Sequence, residues 1–181
     1  MTLLVVLFTI LAAVGRLIPH LPNVAPIGAL ALFSGAYMSK RWRWVPALVA
    51  MLVSDVLLGF DSFPMTLTIY ASFIAITLLG AWVGRNSEVL TVGFGSVTGS
   101  TIFYIMTNFA VWVFSGMYAH TFSGLVLCYT FALPFFAYTL LGDLGWTVLF
   151  FGTARALNVV RRSQLQTLPF DAARIPSQLN H

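Results

Sequence analysis

Charge is scarce in this chain of 181 residues: charged side chains make up 8%, against 59% hydrophobic ones. A soluble domain carries roughly one-quarter charged residues, so so few cannot keep a globule of this size dissolved. With mean hydropathy of +0.92, the composition points to a surface that faces lipid. Cysteine is almost absent as well. A single residue, Cys128, rules out an internal disulfide and a cysteine-based zinc cluster. Also missing are a P-loop, an HExxH pair, a hydrolase elbow and a paired-carboxylate constellation. ATPase chemistry within the chain is thereby excluded, and no cofactor is expected.

The net charge of +4 does not indicate nucleic acid. Lys40, Arg41 and Arg43 sit between two apolar runs, and Arg155, Arg161 and Arg162 follow the last one. Those are the flanks of membrane helices, where basic residues set orientation. No basic stripe accompanies an RNA- or DNA-binding motif, so nucleic acid is not an expected partner.

The apolar runs predict an all-α membrane protein with six transmembrane helices in one domain, residues 1–157, followed by a polar cytoplasmic tail, residues 158–181. The predicted helices cover residues 2–18, 26–38, 45–60, 64–83, 89–113 and 134–157. The second is short for a span. Residues 124–133 are expected to form a short capping helix before the last span, with Pro134 opening that span. The other arrangement is a last helix that starts near Phe122 and kinks at Pro134. The run Thr2–Val14 lacks a basic segment before it and a small-residue cleavage site after it, so it is read as a retained first helix. With six spans and a cytoplasmic N-terminus, eight of the nine basic residues fall on the cytoplasmic side and only Arg16 outside, as the positive-inside rule requires. The reading is a multi-pass protein of the bacterial inner membrane with both termini cytoplasmic.

Two spacings, Gly95–Gly99 and Ala31–Gly35, are of the small-xxx-small type that lets helices approach closely in lipid. Packing within one bundle is the simpler reading of both.

Charges inside a bilayer are costly and default to functional hypotheses. Asp55 lies in the third apolar run and Asp143 in the last. Arg16, at the outer end of the first, is the natural partner for one of them. The other polar and aromatic groups gather on the same outer side: His20 and Asn23 after the first helix, Asp61 after the third, Tyr70 in the fourth, Asn108 and Trp112 one turn apart in the fifth, and Tyr118 and His120 in the following loop. Aromatic residues at such depths also form interfacial belts, Arg16–Asp55 also reads as a structural pair, and two histidines alone are weak grounds for a metal. Still, an apolar vault with a few convergent polar groups is the usual form of a small-molecule site.

The segment from Arg16 to Ala36, RLIPHLPNVAPIGALALFSGA, resembles the start of a family of uncharacterised bacterial membrane proteins. Leu52–Asp55, Thr107–Trp112 and Gly124–Phe136 are similar to that family too. Its members are described as similar to the S (substrate-binding) components of energy-coupling factor (ECF) transporters. The resemblance implies a six-helix bundle with an outward site for a vitamin-like or cofactor-like molecule. It further implies an ECF-type coupling protein and cytoplasmic ATPases as partners, met through small residues of the first helix. Here Thr9 and Ala13 stand where an alanine pair is expected, which leaves open a standard energy module, a dedicated partner or none. Two other functions stay open: a structural or assembly protein with the same bundle and no transport role, and a membrane enzyme using Asp55 and Asp143.

Overall fold

In a computed structural model, the described residues are 2–18, 24–86 and 88–167, with 159–167 as backbone alone. They form six helices and no strand: α1 Thr2–Leu17, α2 Ile27–Tyr37, α3 Val45–Leu58, α4 Phe63–Val83, α5 Val89–Phe114 and α6 Phe122–Thr167. Within α4, α5 and the Phe122–Asn158 part of α6, the helix is long and apolar enough to cross a membrane, with mean hydropathy of 1.8, 1.5 and 1.8. The outer surface is apolar: Leu57, Leu67, Phe94, Leu141 and Val148 are all exposed. An all-helical chain with three helices of spanning length and this surface has the build of a membrane-embedded protein.

α2 is the axis of the bundle. All of Ile27–Gly35 is buried, as expected of a helix that is apolar on every side. Close approach to α4 depends on missing side chains. A Cβ on Gly35 would strike the Thr77 carbonyl of α4, and one on Gly80 would strike the Leu32 carbonyl of α2. The Ala31–Gly35 spacing thus packs inside the bundle. Gly95 and Gly99 do the same, facing Val83 and Ile76 of α4. At the other side of α2, Phe33 meets Phe8, Phe150 and Phe151, with Phe8 and Phe150 stacked at 4.1 Å.

With 11 residues, α2 is only about 16 Å long at 1.5 Å per residue. α4 has 21 residues, about 31 Å. The two run parallel, with Leu32 beside Gly80 and Ala36 beside Gly84 at the end of α4. The end of α2 is therefore level with the end of α4, and its N-terminus opens about halfway along α4, in the interior of the bundle.

One expectation fails here. The separate capping helix over residues 124–133 does not form, because α6 runs unbroken from Phe122 with Pro134 inside it. Thr121 starts the helix: its hydroxyl accepts the Gly124 N–H at 3.2 Å and its carbonyl accepts the Leu125 N–H at 2.9 Å. Proline removes one helical donor, and an apolar setting favours keeping every other backbone bond over ending the helix there.

Candidate functional site

Two buried carboxylates organise the interior, and each has its own set of partners. Asp55, in the last turn of α3, is paired with the Arg16 guanidinium from the end of α1. Tyr70 of α4 donates its hydroxyl to the other carboxylate oxygen at 2.9 Å. Arg16 also donates to Ser54 Oγ at 2.7 Å and lies 3.4 Å from Met51 Sδ. A single knot thus ties α1, α3 and α4 together at one end of the bundle. Gly59, at φ 97°, ends α3 directly after it, with its N–H donating to the Asp55 carbonyl at 2.8 Å. That positive φ suits glycine.

Asp143, buried in the middle of α6, has no cationic partner among the described residues. Its carboxylate accepts the Ser100 hydroxyl of α5 at 2.7 Å and the backbone N–H of Ala29. Ala29 lies in the first turn of α2, where N–H groups lack helical partners and the helix dipole favours negative charge. Asp143 is therefore a cap supplied from another helix, and it stands where a side chain on Gly28 would be. One turn on, Trp146 Nε1 donates to the Val24 carbonyl at 2.8 Å. α6 thereby holds residues 24–29 at two points.

Above the α2 N-terminus lies a cavity of about 220 Å³. Arg16, Asp61, Thr139 and Asp143 line it together with Phe73 and Phe103. The two phenyl rings lie 5.3 Å apart at 32°. Next to it, a second cavity of about 230 Å³ is bordered by Tyr104, Asn108 and Phe136, and shares Ile69, Phe103 and Thr139 with the first.

The site residues read from the sequence therefore separate into groups. Arg16 and Asp143 line the first cavity, and Asp55 and Tyr70 stand behind Arg16 and fix it. Asn108 borders the second cavity, but its amide nitrogen is turned back to the Tyr104 carbonyl of its own helix at 2.8 Å. Trp112 and His120 make a rim at the far end: the indole N–H donates to the Ala119 carbonyl at 3.0 Å and the two rings sit 5.5 Å apart. Tyr118 belongs to the same loop, half-buried. The expectation of one common vault for Arg16, Asn108 and Trp112 is thus replaced by two adjoining cavities and a separate rim. His20 and Asn23 lie outside the described residues. No group of three His, Cys, Asp or Glu among the described residues is placed to hold a metal ion.

Gly28, Ser100 and Thr139 are contributors that sequence reading passed over, and Asp61 was read there only as one of the outer-side polar groups. Only Asp61, a charge next to an apolar run, carried a usable signal. The others are small residues whose roles depend on where α2 begins.

No curated protein matches the chain, and no solved structure matches it. The profile of one protein family matches residues 1–167, and the chain belongs to that family, DUF6580, a family of unknown function.

Proposed function

We propose that this protein is a substrate-binding membrane component for uptake of a small vitamin-like or cofactor-like molecule, similar to the S components of ECF transporters. The observation that carries this reading is the cavity over the α2 N-terminus, where charged and hydroxyl groups meet two aromatic rings. A helix that ends inside the bundle, with its N–H end toward a cavity, is a recurrent way for membrane proteins to build a solute site at depth.

The topology proposed with it is a six-helix bundle in the bacterial inner membrane, multi-pass, both termini cytoplasmic. Lys40, Arg41, Arg43, Arg85 and Arg155 cluster at the end of the helices remote from Arg16, in line with the positive-inside rule. The cavity end then faces outward. α2, with 11 residues, falls short of a full crossing. An ECF-type coupling protein and ATPases would meet the α1 face near Thr9 and Ala13.

The purified chain should gain thermal stability with at least one compound in a vitamin and cofactor panel, and a deletion strain should lose uptake of that compound. No shift with any compound, together with normal uptake throughout, overturns the proposal.

A second reading, a structural or assembly protein, has its own support: both buried carboxylates are already engaged by protein groups. A stable complex lacking ATPases and any bound small molecule would favour it. The enzyme reading has less support, since Asp143 lines the cavity while Asp55 lies behind Arg16.

A further inference from the structure

Among the described residues, the formal charges around the first cavity do not balance. Its lining contains one guanidinium, Arg16, and two carboxylates, Asp61 and Asp143. Arg16 is already matched by Asp55, which it contacts directly. Asp61 is exposed, where water stabilises its charge. Asp143 is buried, and both of its donors, the Ser100 hydroxyl and the Ala29 N–H, are neutral. An ionised carboxylate offers about four acceptor sites, and these two donors leave some of them unused. A buried charge without a counter-charge is strongly disfavoured, so an ionised Asp143 calls for a positive group at its depth in the cavity.

The walls suit such a group. Phe73 and Phe103 both line the cavity, and aromatic rings attract cations through their quadrupole. The volume of about 220 Å³ equals that of about seven liquid waters at roughly 30 Å³ each, the size of a single-ring compound. Asp61 adds negative potential that draws cations inward.

Resting on the substrate-binding reading, we infer that the ligand is a small organic cation, an amine, amidine or protonated heteroaromatic ring. Its positive nitrogen lies against Asp143 and its ring against Phe73 and Phe103. Arg16 serves as a fixed wall held by Asp55 and does not recruit an anion.

Three probes of the same shape and different charge test this: benzamidine, benzamide and benzoate. Binding of each to the full chain in detergent is followed by saturation-transfer NMR and by the shift in thermal midpoint. Benzamidine should bind at least ten-fold more tightly than either of the others. Asp143→Asn should reduce benzamidine to the level of benzamide, and Phe103→Leu should weaken benzamidine several-fold. Equal binding of all three, or preference for benzoate, overturns the cation assignment while leaving a ligand-binding cavity in place. A preference for benzamidine that persists in Asp143→Asn overturns the role of Asp143. If none of the three binds and the vitamin panel also gives no shift, the cation assignment falls together with the substrate-binding reading. The three-probe comparison needs no variant, so it decides the charge class even if Asp143→Asn fails to fold.

Discussion

The two buried carboxylates solve the same problem in opposite ways. Asp55 meets a full positive charge, brought by Arg16 from a different helix, and the pair closes one end of α1 and α3. Asp143 meets only neutral donors and the open end of α2. A guanidinium and a carboxylate compensate each other and leave little for a third party. A helix N-terminus compensates partially, and the remainder is available to whatever enters the adjoining space. The first arrangement fastens helices, and the second is suited to recognition.

The largest test of this contrast is Asp55→Ala. It leaves Arg16 without its counter-charge and should cost about 2–4 kcal/mol, somewhat under the range for fully buried pairs because Arg16 keeps 24% of its side chain exposed. Denaturant titration in detergent measures it. Replacing both residues, Arg16→Met with Asp55→Leu, should recover most of that loss. Asp143→Ala should cost less, about 1–2 kcal/mol, the usual scale for a lost helix cap. Asp143→Asn should stay within about 1 kcal/mol of the parent, since the amide oxygen can still accept from Ala29 and Ser100. A larger loss for Asp143→Ala than for Asp55→Ala would reverse the contrast.

Tyr70→Phe removes one donor from Asp55 and keeps the ring, so a loss of about 1 kcal/mol is expected in the same titration. Trp112→Phe, at the exposed rim, should change stability by less than about 0.5 kcal/mol. A ligand affinity that falls with Trp112→Phe would bring the rim into the site.

The difference between the two carboxylates also explains what the sequence revealed. Arg16 and Asp55 are charges inside apolar runs, and each is visible because lipid tolerates so few. Pairing them needed only the idea that opposite charges seek each other. Asp143 was visible for the same reason, but its partner was not: a backbone N–H at the start of α2 has no letter of its own. Six apolar helices were legible from the runs between polar turns. The start of the last was legible only as the alternative near Phe122, because Pro134 resembled a boundary while Thr121, the residue that caps α6, looked like loop. The gathering of Asn108, Trp112 and Arg16 into one vault failed for a reason of distance. Helical periodicity tells which residues share a face, and it does not tell how far along the axis the neighbouring helix extends. The half-length of α2 creates the cavity, and the glycine contacts with α4 together with the hold of α6 on residues 24–29 fix where that helix begins.

The unbroken sixth helix has a mechanical consequence. Its apolar stretch of 37 residues measures about 55 Å at 1.5 Å per residue, against a hydrocarbon slab of about 30 Å. Even leaning by about 40°, the upper end of observed slopes, the rod would still cover about 42 Å of depth. A crossing at any such inclination would place its extremities among the lipid headgroups, with the exposed Phe122 ring at that boundary. Packing against α5 and α2 then sets the lean of α6, and Asp143 and Trp146 carry that lean to the floor of the cavity.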